Sequence, residues 1–181
     1  RAKASKAADR PHKNLLGIPW RAAFALQDAG WYLRNATVWH KPNNMPVSAQ
    51  DRLASRYEML FLLTKKPRYW FDLDPIREPL TGRIRPADAA GRNPGDVWTI
   101  PVTPFKDAHF APFPSELPRR CIQAGCRPAG TVLDPFSGAG TTALAAQQLG
   151  RKAIGIDINA KYHDIALKRM SNAPLPFGEA S

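Results

Sequence analysis

The reading of this chain turns on residues 131–157, TVLDPFSGAGTTALAAQQLGRKAIGID. A short apolar run enters Asp134-Pro135-Phe136. A Ser-Gly-Ala-Gly-Thr-Thr turn follows, then a stretch with helical composition, and a second apolar run ends in Asp157. A strand that meets glycines and then a helix is the general plan of a nucleotide-like ligand site. Gly138 and Gly140 let the backbone approach a ligand closely. Asp157, 17 residues beyond Gly140, stands where an acid accepts hydrogen bonds from two ribose hydroxyls. Taken alone, a Gly-x-Gly pair is also compatible with an ordinary strand–helix turn.

Two features narrow the ligand. No Gly-Lys-Ser/Thr follows the glycines, so the turn is not a P-loop. In a dinucleotide fingerprint the third glycine would fall at 143, where Ala143 stands; alanine does occur there, but such a strand does not run into Asp-Pro. The carboxylate of Asp134, just before the turn, repels a pyrophosphate and suits an amino or cationic group. S-adenosylmethionine carries an α-amino group and a sulfonium and has no phosphate, so the chemistry favours it over NAD.

Working outward, the chain alternates helical and extended patterns. Residues 14–28, NLLGIPWRAAFALQD, have helical periodicity, with Pro19 near the start and Gly30 placed to end the helix. LRNATVWHK (33–41) and YEMLFLLTK (57–65) read as strands, joined by a polar loop containing Asn43 and Asn44. Residues 66–95 lose periodicity and read as an excursion from the main fold. VWTIPV (97–102) is a strand and SELPRRCIQAG (115–125) a helix with Ser115 as its cap. TVLDPF is a strand, TTALAAQQLG a helix and KAIGIDI a strand, and NAKYHDIALKRM is a helix capped by Asn159. Helices alternating with nearly all-apolar strands predict a parallel sheet covered on both faces.

Bulk properties agree with a single α/β domain. The chain has 181 residues, 44% of them hydrophobic, which suits one domain with its own core. Lys and Arg total 26 against 15 acids, a net charge of +11 with pI near 10.1. Such a balance favours an anionic partner, nucleic acid first. No run reaches 18 apolar residues, so no membrane span is expected. The basic start RAKASKAADR is followed by no apolar run and does not read as a secretory signal. The four histidines are too scattered along the sequence to complete a metal site with Cys121 and Cys126, which read as reduced cysteines of a cytoplasmic protein.

With these motifs in view, DPFSGAGTT, then GIDI, then Tyr-x-x-Ile-Ala-x-x-Arg (162–169), the sequence resembles the DNA amino-methyltransferases. These transfer a methyl group from S-adenosylmethionine to the exocyclic amine of adenine (N6) or cytosine (N4). The resemblance is to the permuted group, in which the catalytic half precedes the cofactor half, and it covers about residues 13–170. It implies a Rossmann-like methyltransferase sheet in circularly permuted order with an irregular target-recognition insert. The cofactor motif falls on Asp134, Pro135, Phe136, Gly138, Gly140 and Thr141, and Asp157 matches the ribose acid. HFAPFPSELPRRCI (109–122) resembles the segment along the methionine end of the cofactor, with His109 and Phe110 as its first positions, followed by Phe113, Pro114 and Leu117. VWHKPN (38–43) and YEMLFLL (57–63) resemble strands that complete the catalytic half.

The resemblance also places the DNA. Lys41, Arg52 and Arg56 are candidates for phosphates. Lys65, Lys66 and Arg68 lead into Tyr69-Trp70-Phe71, and Arg77, Arg83, Arg85 and Arg92 follow. Residues 66–96 are where the family carries its target-recognition insert; the alternative is a solvated arginine-rich loop. Trp39 is read as packing rather than base stacking, and Asn43 and Asn44 as loop caps or DNA contacts. Implied partners are double-stranded DNA and a restriction endonuclease counterpart that makes no direct contact. The implied setting is the cytoplasm of a bacterial or archaeal host, or a phage-encoded protein.

One element of the family pattern is missing. Its Asp/Ser/Asn-Pro-Pro-Tyr/Trp catalytic motif, which lines the flipped base, would precede Lys13, and no Pro-Pro pair occurs in these residues. Residues 1–181 therefore read as one methyltransferase domain that is incomplete at its N-terminus, with no catalytic residue assigned. An RNA methyltransferase of the same fold and a non-catalytic DNA-binding remnant are the competing readings.

Overall fold

The computed structural model describes residues 10–80, 90–102 and 113–173. Its contacts divide the chain into two units, Arg1–Thr37 with Met59–Tyr69, and Val38–Glu58 with Trp70–Ser181. The 66–96 segment straddles that division.

The first unit holds α1 (Ile18–Asp28) and most of β1 (Tyr32–His40) and β2 (Tyr57–Thr64). The helix opens from Gly17, whose φ of 63° is the left-handed region glycine tolerates, and Pro19 lies in its first turn, where no N–H is missed. Ala23 is buried, and Trp20 packs edge-on against Phe61 at 5.0 Å and beside Phe24 at 5.8 Å.

In the second unit the end of β1 pairs in parallel with β3 (Val97–Thr99), Trp39 opposite Trp98. The predicted strand 97–102 is thus shorter than its apolar pattern, because Pro101 has no N–H to extend the ladder. Trp39 is a packing residue: it is buried and its indole N–H donates to the Ile100 carbonyl at 2.8 Å. Asn43 ties its loop to the backbone beyond β3, its Oδ1 accepting from the Val102 amide at 2.7 Å and its Nδ2 donating to the Val102 carbonyl at 2.8 Å. Asn44 donates to the Ser55 carbonyl.

A second parallel pair joins β4 (Thr131–Asp134) to β5 (Lys152–Gly155), with Asp134 opposite Gly155. Between them runs α3 (Thr141–Gln148), with α2 (Glu116–Gly125) and α4 (Ala160–Ser171) packed on it. Ala145 and Ala146 are fully buried; their small side chains let Ile122 of α2 close on α3, with Val132, Leu149, Ala153 and Cys126 around them. Ser115 does not cap α2. Its backbone (φ −60°, ψ −25°) is already helical and its side chain makes no capping bond, whereas a cap needs extended backbone. Asn159 does cap α4, accepting from the Lys161 amide at 3.1 Å.

The expected single sheet with both faces covered is not what the described residues form. They make a three-stranded sheet, β2-β1-β3, and the separate pair β4-β5. Helices lie over the Val132 and Ala153 side of that pair, while Leu133 and its register partner Ile154, on the opposite side, are more than half exposed, as are Ile156 and Ile158. Truncating the centre of the covered side should be costly. Ile122→Ala is expected to lower stability by about 2–5 kcal/mol, read as an earlier urea midpoint; a midpoint equal to wild type would show that the Ile122–Ala145–Ala146 cluster is not the core.

Candidate functional site

The site forms where β4 and β5 end side by side. Asp134 closes β4, and its Oδ1 accepts from the Phe136 amide at 3.0 Å, which turns the chain sharply out of the strand. Its backbone carbonyl accepts from the Ile156 amide, and the Ser137 amide donates to the Ile156 carbonyl, both at 2.9 Å. The turn therefore lies across the outlet of β5. Gly138 (φ 48°) donates its N–H to Asp157 Oδ2 at 2.9 Å, and Gly140 (φ 75°) donates to the Ser137 carbonyl at 2.9 Å before α3 begins. Asp157 Oδ1 accepts from the Asn159 amide at 2.8 Å.

These bonds set the electrostatics. The amides of Asn159 and Gly138 hold the Asp157 carboxyl below the ordinary aspartate range, and His163 pulls the same way. The carboxylate is thus the resident form at neutral pH. The Ser137, Gly138 and Gly140 amides already have acceptors, and two carboxylates flank the turn, so it is a poor seat for a phosphate. It does fit a ligand with hydroxyls and a cationic amino group. Each carboxylate oxygen of Asp157 keeps capacity for a further donor such as a ribose hydroxyl. Nothing lies within 4 Å of where a Gly138 Cβ would stand, so bare backbone faces open space there. Phe136, 87% exposed, offers an aromatic face beside it. S-adenosylmethionine meets these requirements.

The structure brings Asp134, Pro135, Phe136, Gly138, Gly140, Thr141 and Asp157 together. Thr141 is only 4% exposed, and its hydroxyl accepts from Arg169 at 3.1 Å. Phe113 is exposed, while Pro114 and Leu117 are buried at the start of α2. His109 and Phe110 lie outside the described residues. Sequence reasoning left three site-forming residues without a role: Gly155, where a Cβ would stand 3.0 Å from Ser137; Ala166; and Arg169. The spacing Tyr162, Ala166, Arg169 places all three on one helix face, which was the available signal.

The basic residues divide. Arg52, Arg56, Lys65, Lys66 and Arg68 are exposed, Lys65 lying 3.9 Å over the Trp31 ring. Lys41 is largely covered and pairs with Glu58 at 2.6 Å. Arg77 pairs with Asp74 at 2.7 Å and donates to the Gly91 carbonyl. Arg92 pairs with Glu78 at 2.9 Å, where the two backbones also bridge and tie off the 79–91 segment. Arg83 and Arg85 lie outside the described residues. Among the described residues no three His, Cys, Asp or Glu are placed to hold a metal, and no helix is long and apolar enough to cross a membrane.

The family model for DNA methylase of the N6/N4 type matches residues 4–168. The chain belongs to the N6/N4 DNA methylase family. It is 48% identical over 159 residues to the Type II methyltransferase M.Cfr9I of Citrobacter freundii, covering 87% of this chain and 51% of that protein. It is 44% identical over 158 residues to M.SmaI of Serratia marcescens, covering 87% and 53%. This N6/N4 methylase chain therefore spans about half the length of the curated relatives it matches. The solved M1.HpyAVI–SAM complex superposes with a TM-score of 0.63 at 26% identity, over 88% of this chain and 72% of that one. PvuII DNA methyltransferase (cytosine-N4-specific) gives 0.70 at 19%, over 92% and 61%, a likeness of fold. The fold is thus the Rossmann-like methyltransferase fold in permuted order with an insert.

The two glycines of the turn should respond differently to a methyl group. Gly138→Ala meets open space and bears only its left-handed backbone, a cost of about 1–2 kcal/mol. At Gly140 an added Cβ would also stand 2.6 Å from the Ala166 Cβ, so Gly140→Ala should lose about 1–3 kcal/mol more. Urea denaturation of the pair measures the difference, and equal losses would mean α4 yields freely.

Proposed function

We propose that this chain is the cofactor-holding and DNA-contacting portion of an S-adenosylmethionine-dependent methyltransferase that modifies the exocyclic amine of cytosine (N4) or adenine (N6) in duplex DNA. The observation that carries the reading is the pair of strand-end carboxylates, Asp134 and Asp157, with the open backbone of Gly138 between them. Family membership and the likeness to a structure titled as a SAM complex support it.

In this reading Asp157 holds the ribose hydroxyls, Asp134 faces the polar methionine end, and Phe136 covers the ligand on its exposed side. His109 and Phe110 are further candidates for the methionine end. The bound cofactor supplies an electrophilic methyl group on its sulfonium, and the target amine must be turned out of the duplex to reach it. Holding the cofactor at one orientation is the contribution of the turn. Exposed Arg52, Arg56, Lys65, Lys66 and Arg68 supply phosphate contacts. Lys41 and Arg77 would have to give up Glu58 and Asp74 to do the same. Arg83 and Arg85 are candidates for base edges. The biological counterpart is a restriction endonuclease of the same specificity that does not touch this protein.

Calorimetry should show S-adenosylmethionine binding that falls at least tenfold in Asp157→Ala; no binding, or equal binding by the variant, overturns the reading. Duplex DNA incubated with protein and cofactor should yield N4-methylcytosine or N6-methyladenine by nucleoside mass spectrometry. DNA affinity should drop with added salt, and a flat salt response would remove the phosphate contacts. The pH dependence follows from Asp157. Its folded pKa lies below the unfolded one, so its stabilising bonds are complete above about pH 3.9 and are lost as pH falls through the lower folded value. Asp157→Asn should flatten stability in that acid window, measured by urea unfolding at stepped pH.

A further inference from the structure

We propose that Arg169 is a positioning residue for the cofactor turn: from helix α4 it locks the Ala139–Gly140 peptide in the orientation the ligand needs. The proposal deepens the methyltransferase reading and rests on it for the identity of the ligand.

The turn needs such a lock. It carries two glycines at positive φ within three residues, and glycine moves easily between backbone conformations. The Ala139–Gly140 peptide is held on one side by its own N–H, donated from Gly140 to the Ser137 carbonyl at 2.9 Å. That bond lies within the turn and would be lost with it. On the other side the Arg169 guanidinium donates from Nη1 to the Ala139 carbonyl at 2.6 Å and to the Thr141 hydroxyl at 3.1 Å. The two acceptors flank Gly140. Rotating the peptide would break both the internal bond and the charge-assisted one from α4, the stronger kind.

The helix that carries Arg169 is itself seated by the turn. Ala166, three residues earlier and on the same face, lies so close to Gly140 that a Cβ there would meet the Ala166 Cβ at 2.6 Å and its Cα at 3.2 Å. Only a small residue at 166 and none beyond hydrogen at 140 allow this approach. The approach brings the guanidinium within reach of Ala139. Gln147 of α3 adds a bond to the Met170 carbonyl at 3.4 Å, next to Arg169. Partial burial lowers the Arg169 proton affinity, yet an arginine stays charged at any working pH. The lock therefore does not titrate. The Ile-Ala-x-x-Arg part of the helix motif thereby acquires a purpose: alanine for proximity, arginine for the bond.

The test compares Arg169→Met, Arg169→Lys and, as a control on an exposed neighbour, Lys168→Met. Two measurements are made on the 181-residue chain: hydrogen exchange of the ligand-free protein and calorimetric affinity for S-adenosylmethionine. Arg169→Met should accelerate exchange at the amides of 138–141, leave β4 and β5 at wild-type rates, and weaken binding about tenfold or more. Arg169→Lys keeps the charge and one donor direction, and should lie between Met and wild type. Lys168→Met should match wild type in both. Wild-type affinity in both Arg169 variants overturns the proposal, as does faster exchange spread evenly over α3 and α4, which would make Arg169 a general packing residue. If Arg169→Met does not fold, Arg169→Lys decides alone, and wild-type affinity in it overturns the lock. A wild-type chain that does not bind S-adenosylmethionine overturns the methyltransferase reading instead, while the exchange pattern of the ligand-free variants still judges whether Arg169 holds the turn.

Discussion

The hydrogen bond from the Gly138 amide to the Asp157 carboxylate depends on the whole local fold and organises it in turn. It exists because β4 and β5 are parallel neighbours in a register that sets Asp134 against Gly155. Asp157 then emerges two residues beyond, level with the turn. A slip of one residue would turn every side chain of β5 to the other face and remove the acceptor. Gly155 enforces the same closeness from below, since a side chain there would run into Ser137 at 3.0 Å. Three positions with little or no side chain, Gly140, Gly155 and Ala166, thus let strand, turn and helix converge on a point where two carboxylates remain.

Not every one of the 26 basic side chains is available to a partner. Lys41, Arg77, Arg92 and Arg120 are engaged with Glu58, Asp74, Glu78 and Glu116, and Arg120 also lies 5.7 Å from the Trp98 ring centre. Each pair keeps one partner in water, and such pairs contribute on the order of 0–1 kcal/mol each, so they fix geometry more than they add stability. Four acids thus hold one lysine and three arginines in place. Among the described residues, Lys65, Lys66 and Arg68 are exposed and form no ion pair with an acid.

Much of this was legible in the sequence. Strands and helices at 18–28, 32–40, 57–64 and 131–171 follow from periodicity, Pro and Gly placement and Asn159 as a cap. The Asp-Pro-Phe-Ser-Gly-Ala-Gly turn identified its own neighbourhood because its acids and glycines are adjacent in the chain. What could not be read was pairing across distance. Nothing in Lys41 or Arg77 announces that Glu58 or Gly91 will take it. Nothing in Ser115 reveals that its backbone is already helical. Apolar composition predicts a sheet covered on both sides, but it says only that Leu133 and Ile154 seek a partner and not which element supplies it. The role of Arg169 was hidden for the same reason: its motif is local, but the carbonyl it serves is thirty residues away in the chain.

The neck of the insert has a consequence for how such a protein can change. Glu78 and Arg92 are joined by backbone bonds at 3.0 and 2.9 Å and by a side-chain pair, and Gly91 sits so close that a Cβ would meet the Glu78 carbonyl at 2.7 Å. Glu78, Gly91 and Arg92 thus close the base of the segment between them. Lengthening a closed loop costs only about 0.6 kcal/mol per doubling. A change of length between Glu78 and Gly91 therefore costs this neck little, whereas a side chain at position 91 would force it open.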